Sequence, residues 1–367
     1  MSQFSDNLCT PFAQIDVQKL NANIKKFADF FSKQKVALRP HIKTHKCPEI
    51  ARWQLHAGAV GITAATLAET AGMLESGIED IFIAYPIVGQ ANLEKLAEIF
   101  TRSEKIILAF DSIFHLEQMT RIPLAKFPLQ LRLEINSGQN RCGITPELNQ
   151  LKPIMEFLQN HSRLFSLEGV FTHAGHVYRC SNLEQIQAVA ESEQAAVIKA
   201  AKILRQNGFA CKTISTGSTP TASFTRNPEV TECRPGNYVF FDAMQAANGT
   251  AKTEECALTV FSTVIADYSD RLIIDAGSKA LGLDKGAHGQ SLLNSFGLIK
   301  KYPHLCIAAL SEEHGIINYQ SGEKVPAPGE IVEIIPNHSC AAANLFSHYH
   351  LFQGNGLSGA WPLVGRR

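Results

Sequence analysis

Residues 36–46 read VALRPHIKTHK: an apolar run, then two lysines and two histidines within the eight residues that begin at Arg39. A charged cluster at the end of a hydrophobic run is either a solvated loop or a site. Which it is depends on whether the run is a strand and on what lies beside it.

Seven further runs resemble it: GAVGITAAT from Gly58, DIFIAYPIV from Asp80, KIILAFD from Lys105, LQLRLEIN from Leu129, LEGVFTHAG from Leu167, KTISTGS from Lys212 and NYVFFD from Asn237. Between them lie stretches such as TLAETAGMLESG, NLEKLAEIFTRS and PELNQLKPIMEFLQNH, whose apolar residues recur at three and four positions. The longest, NLEQIQAVAESEQAAVIKAAKILRQNG, ends at Gly208, where a helix terminus favours a left-handed residue. Parallel strands need crossover helices, so eight such alternations predict a parallel sheet, closed as a (β/α)8 barrel. After Asp242 the texture changes. LTVFSTVIADYSDRLIIDAG, LCIAALSEEHGIINY and EIVEIIPNHSC are β-rich with turn residues between. The expected division is a barrel over 17–245 and a mostly β domain over 246–367, joined by about the first sixteen residues.

The 34 basic residues equal the 34 acidic ones, so no net field recruits nucleic acid or an anionic membrane, and a small-molecule partner is expected. No run reaches the roughly 18–20 apolar residues of a membrane span, and the N-terminus lacks a basic start followed by an apolar core. The nine cysteines are odd in number, scattered and without a Cys-x-x-Cys pair, which predicts free thiols in a reducing cytoplasm.

In such a barrel, functional residues gather at the C-terminal ends of the strands. The unusual polar segments fall there: PHIKTHK, NSGQNRCG, THAGHVY and STGSTPT, with RPGNY just ahead of the eighth run. In STGSTPT the hydroxyls around Gly217 suit a phosphate, with Thr216, Ser218 and Thr219 as donors, although such a loop is often only a turn. RPGNY, with Gly236 and Asn237, is placed to share that phosphate. Lys43 is a solvated loop lysine or, desolvated at a barrel mouth, a nucleophile toward an aldehyde. A phosphate loop and an aldehyde-binding lysine together describe pyridoxal 5′-phosphate.

The motifs, in this order, resemble the fold-type III pyridoxal phosphate enzymes, the alanine racemase-like group. Within it RPHIKTHK, THAGHVY, STGSTPT, DAGSKAL, EEHG and PNHSC are similar to the D-serine dehydratase and D-threonine aldolase branch, over nearly the whole chain. The resemblance implies that Lys43 anchors the cofactor covalently, with Lys46 as its neighbour. It implies Arg141 near the cofactor's phenolic oxygen and Tyr178 near the pyridine nitrogen, where racemases use an arginine without counterpart here. It leaves His173, His176, Asp275, Lys279 and His314 in matched motifs with no role assigned. His348 and His350 have no matched context and read as surface residues.

PNHSC separates the branches. At a strand end, residues i and i+2 point the same way, so His338 and Cys340 can converge on one ion. Nitrogen and sulfur ligands suit Zn²⁺, with Mn²⁺ as the alternative ion, although most His-x-Cys pairs bind nothing. The branch carries its metal site there. Dehydratases resemble His-x-Cys, whereas aldolases lean toward His-x-Asp. The resemblance therefore implies a PLP- and metal-dependent lyase of D-β-hydroxy amino acids, converting D-serine to pyruvate and ammonia or dehydrating a related substrate. D-threonine aldolase chemistry is the alternative, with racemization and non-catalytic cofactor carriage further off. Related enzymes also imply a homodimer.

Overall fold

A computed structural model describes residues 8–122, 128–286, 293–354 and 356–366. Of the N-terminal stretch read for a leader, residues 1–7 lie outside the described residues. The chain forms two compact units. One comprises Lys26–Val177, Glu184–Gly236 and the segment from Val364; the other comprises the segment up to Lys25, Tyr178–Leu183 and Asn237–Leu363.

The first unit holds eight parallel strands: Ala37–Leu38, Ile62–Ala64, Ile81–Ile83, Ile106–Phe110, Leu129–Glu134, Phe165–Phe171, Thr213–Thr216 and Glu232–Cys233. Each pairs with its successor except the first two, and Ala37–Leu38 pairs with Glu232–Cys233. A bridge between His41 and Thr63 closes the ring. Ile62–Ala64 and Ile81–Ile83 are buried at every position, as strands covered on both faces must be, and this explains their continuous apolar runs.

The long helix Leu183–Gln206 buries Ile186, Ala190, Val197, Ala201 and Leu204 on one stripe. It ends as its sequence predicts. Gly208 has φ +88°, the Phe209 N–H donates to the Leu204 carbonyl at 3.1 Å, and the Gly208 N–H to Arg205 at 3.1 Å.

The eighth strand is not where the apolar pattern put it. Asn237–Val239 is a 3-10 turn, and the strand is Glu232–Cys233, so RPGNY follows strand eight rather than preceding it. Tyr238 to Phe241 are apolar because they are buried, at no more than 1% exposure, and not because they are a strand. The true strand was hidden because its inward residue is charged. Glu232 accepts from Arg132 at 2.6 Å and from Arg39 at 2.8 Å inside the barrel.

The second unit is antiparallel. Leu258–Asp267, Arg271–Ile274, Gly315–Asn318, Cys306–Leu310, Leu298–Ile299 and Ile331–Ile335 pair in that order, and the last returns to the first, closing a six-stranded barrel. Phe12–Asp16 adds to Leu258–Asp267, followed by the hairpin His348–Gln353 and Gly356–Pro362. Its core is apolar, built from Val260, Val264, Leu272, Ile274, Ile317 and Ile334. All nine cysteines are free thiols, and no helix among the described residues is long and apolar enough to cross a membrane.

Candidate active site

The first barrel strand runs into a 3-10 turn, Ile42–Thr44, that carries Lys43. His41 caps this turn, its Nδ1 accepting from the Lys43 N–H at 3.4 Å, while its own N–H donates to the Pro235 carbonyl at 3.0 Å. A Cβ on Gly236 would lie 2.8 Å from the His41 carbonyl oxygen and 3.1 Å from Thr44 Oγ1. Only glycine lets the RPG loop lie on the lysine turn.

The two lysines of the opening motif have different surroundings. Lys46, at φ +49°, forms an ion pair with buried Glu69 at 3.5 Å, and Glu69 also accepts from the Ala65 N–H at 2.6 Å. Lys43 belongs to a cluster of positive groups. Burial, and then the charges of Lys43, Arg234, His173 and Arg141, push the His41 imidazole well below its ordinary pKa, so it is neutral.

Arg234 was missed as a candidate, although it opens the RPG segment. It is buried, donating through Nη2 to the Thr172 carbonyl at 2.6 Å and through Nη1 to Ser215 Oγ, with its guanidinium 5.1 Å above the Phe171 ring. Glu193 was missed too. Its carboxylate accepts from the Gly217 N–H at 3.0 Å and the Ala174 N–H at 3.3 Å, pinning the loops after the sixth and seventh strands. Burial pushes its carboxyl up. The sequence held a signal for it, because a glutamate at 193 falls on the apolar stripe of its helix, between Ala190 and Val197.

Thr216, Gly217, Ser218 and Thr219 are all buried. Gly217 has φ +121°, and a Cβ there would meet Cys233 Sγ at 2.7 Å and the Arg234 nitrogen at 2.8 Å. Ser218 caps the short helix Thr219–Ala222, its N–H donating to Thr221 Oγ1 at 3.1 Å. The Gly217 and Ser218 N–H groups therefore already have protein partners. Thr216 Oγ1 is buried without an oxygen or nitrogen partner. An orphan hydroxyl, two close-approach glycines, an excess of cations and an amine at a strand end together fit a phosphorylated aldehyde.

NSGQNRCG is a knotted loop. Asn136 Oδ1 accepts from the Gly138 N–H at 2.9 Å and the Asn140 N–H at 3.2 Å, and Gly143 donates to Asp111 at 2.8 Å. Arg141 remains half-exposed, 3.9 Å from Glu134. Burial raises the Glu134 carboxyl to about 7, with Arg141 opposing. Tyr178 is half-buried in the turn Gly175–Arg179.

In the β unit, His338 and Cys340 follow strand Ile331–Ile335, and the short helix Ser339–Ala343 begins between them. His338 Nδ1 lies 3.2 Å from Asp284 Oδ2, the arrangement by which a carboxylate orients a ligating imidazole. No group of three or more His, Cys, Asp or Glu side chains able to hold a metal occurs among the described residues. On either side of Ser339 the turn carries an imidazole and a thiol, donor types that Zn²⁺ accepts.

Asn237, expected at a phosphate, points its side chain elsewhere. Its Nδ2 donates to Asp242 Oδ2 at 2.6 Å and Ser339 Oγ at 3.0 Å. Asp275 is structural, accepting from Thr10 Oγ1 at 2.5 Å, Ser262 Oγ at 2.7 Å and the Thr263 N–H at 2.8 Å. Lys279 pairs with Glu313 at 2.7 Å on the surface, and the exposed His314 closes a turn through its carbonyl. His348 and His350 meet at 3.1 Å, the first exposed and the second half-buried. A cavity of about 790 Å³ in this unit, lined by Gln14, Phe261, Lys300, Tyr302 and Glu333, contains none of the candidate residues.

A parallel barrel with a lysine turn after its first strand and phosphate-type loops after its last two, in a chain that adds an antiparallel β unit, defines the alanine racemase-like class of pyridoxal phosphate enzymes. The chain belongs to that class and, within it, to the D-serine dehydratase and D-threonine aldolase family. It matches the alanine racemase N-terminal domain over residues 15–244 and a serine dehydratase-type domain over residues 257–352. It is 32% identical to D-threo-3-hydroxyaspartate dehydratase of Delftia sp., over 96% of this chain and 97% of the relative. The solved structure of that enzyme superposes with a TM-score of 0.90, covering 97% of this chain and 98% of the other. The chain is 31% identical to D-serine dehydratase of Dictyostelium discoideum, over 95% of each, and 30% identical to D-threonine aldolase of Arthrobacter sp., over 97% of this chain and 92% of the other.

Proposed function

We propose that this chain is a lyase that dehydrates D-β-hydroxy amino acids, taking D-serine or a 3-hydroxyaspartate to the 2-oxo acid and ammonia. Lys43 is the covalent anchor of pyridoxal phosphate. Arg141, Tyr178, Thr216, Gly217, Ser218, Thr219, Gly236 and Asn237 are the residues that would bind the cofactor, with Arg234 to balance its charge. His338 and Cys340 hold the divalent cation, Zn²⁺ or alternatively Mn²⁺. The observation that carries dehydration over other outcomes is the His338–Cys340 pair with Asp284 behind the imidazole. It is supported by solved variants of D-threo-3-hydroxyaspartate dehydratase in which a histidine or a cysteine two residues further on is replaced by alanine, the cysteine variant being in a metal-free form.

When bound, pyridoxal phosphate supplies an electron sink for the α-carbon, and the cation supplies a Lewis acid for the substrate hydroxyl. The chain's own residues do the rest. With cofactor and substrate bound, the Lys43 amine would take the Cα proton. Among the cations around it, neutral His41 neither adds a further positive charge nor competes as an acid. Arg141 holds negative charge at the ring, and Glu193 keeps the Gly217 loop from shifting. Loss of the α-proton and the β-hydroxyl leaves an enamine, which water converts to the 2-oxo acid and ammonia.

The test is product identity from D-serine, D-threonine and 3-hydroxyaspartate, before and after a chelator. Pyruvate or oxaloacetate with ammonia, lost on metal removal and restored by Zn²⁺, is expected. Glycine with an aldehyde would replace this reading by the aldolase one, and full activity after complete metal removal would overturn the role of His338 and Cys340. The reading carries the homodimer that the resemblance implies; a monomeric mass by light scattering would contradict it.

A further inference from the structure

Asp242 lies ahead of the PNHSC turn by nearly a hundred residues and belongs to none of the motifs that suggested the chemistry. Its carboxylate is completely buried. Oδ1 caps the helix Ala243–Ala247 by accepting from the Gln245 N–H at 2.9 Å. Oδ2 accepts from the Ser339 N–H at 3.0 Å and from Asn237 Nδ2 at 2.6 Å. Ser339 is the residue between His338 and Cys340. Asn237 Nδ2 also reaches Ser339 Oγ at 3.0 Å and Cys340 Sγ at 3.8 Å. The backbone follows the same path, with the Ala243 N–H donating to Pro336 at 3.1 Å and the Met244 N–H to Asn337 at 3.3 Å.

We propose that Asp242 is a positioning residue for cation binding, holding the turn that presents His338 and Cys340, with Asn237 as the strap between carboxylate and thiol. The inference rests on the reading of that pair as metal ligands. Three donors converge on two carboxylate oxygens, and only a carboxylate can accept all of them. An amide at 242 keeps one oxygen for the Gln245 N–H and sets its own NH₂ against the Ser339 N–H and the Asn237 NH₂. The turn must then open, and the two ligands lose their shared orientation. Outer residues of this kind typically contribute about 10–100-fold to metal affinity.

The experiment measures Zn²⁺ affinity of the full-length holoenzyme by competition with a chromophoric chelator, and records the thiolate charge-transfer band of the Co²⁺-loaded protein. Wild type is expected to bind one ion that His338→Ala and Cys340→Ala lose. Asp242→Asn should bind about 10–100-fold more weakly with a shifted or diminished Co²⁺ band. Asn237→Ala, which leaves the helix cap intact, should weaken binding by a smaller factor. A purely structural Asp242 would lower the thermal midpoint while leaving affinity and band unchanged, and that result overturns the proposal. Should Asp242→Asn not fold, wild-type affinity in Asn237→Ala overturns it equally. Wild type without a bound cation would overturn the metal reading itself, a separate outcome from either.

Discussion

Two barrels close within this chain, and their interiors are opposite in character. The antiparallel one is filled by Val260, Val264, Leu272, Ile274, Ile317 and Ile334, with no charge among them. The parallel one holds Arg39, Arg132 and Glu232, all buried, with Asp80 and Glu168 completing the pairs. Arg132 lies 4.7 Å over the Phe82 ring, and Arg234 continues the series toward the loops. The antiparallel core is built by apolar packing, and the candidate metal ligands lie on a turn beyond the strand that ends at Ile335. In the parallel barrel, the interior charge network continues into the site through Ser215, which donates to Glu232 at 2.6 Å and accepts from Arg234.

The largest test of that contrast is Glu232→Ala. It strands Arg39 and Arg132 without their shared partner, which should cost about 3–5 kcal/mol in denaturant unfolding; a loss under about 1 kcal/mol would show that the charges do not act as a network. In the apolar barrel, Ile317→Ala should cost about 2–5 kcal/mol through transfer and cavity terms, with the cofactor colour of the folded protein unchanged. Loss of colour in the folded variant would break the separation of packing from site.

Acid and base should act on the parallel barrel in opposite senses. Burial alone would raise the Glu232 carboxyl, but Arg132, Arg39 and Arg234 overrule it and hold it at about 2. Its folded pKa lies below the usual 4.5, so its contribution is complete above about 4.5 and is lost as pH falls toward 2. Glu134 is raised from 4.5 to about 7, so the stability linked to its proton is complete below about 4.5 and is lost as pH rises through 7. Glu134→Gln should remove up to ~3 kcal/mol of pH dependence from the cofactor-free protein between pH 5 and 8. An unchanged profile would mean that another group governs that range.

The smallest stability effects separate the two lysines. Lys46→Met should cost about 1–2 kcal/mol by leaving buried Glu69 without its cation. Lys43→Ala, outside that ion pair, should leave the unfolding midpoint closer to wild type than Lys46→Met does, yet should abolish covalent cofactor binding. The reverse pattern in an absorbance and unfolding comparison would exchange their roles.

Strands two and three were legible because they are buried at every position and therefore nearly continuous apolar runs, and the end of the long helix was legible because glycine suits the left-handed turn at 208. Strand eight was not. Its inward glutamate is satisfied by arginines from residues 39 and 132, and nothing near position 232 announces them. The apolar YVFF beside it offered a more strand-like pattern, but burial and not strand geometry accounts for it.

The candidate site divides along the same line. Residue order by itself determined the barrel class and the family, and it singled out Lys43 and the His338–Cys340 pair as candidates, because these depend on short motifs and local periodicity. The tertiary structure alone decided that Lys46 is committed to Glu69, that Glu193 pins the phosphate-type loop, and that the Asn237 side chain faces Asp242 and Ser339. Those are hydrogen bonds and ion pairs between residues from five to 102 positions apart. A buried polar group must find a partner, but only the folded chain specifies which one.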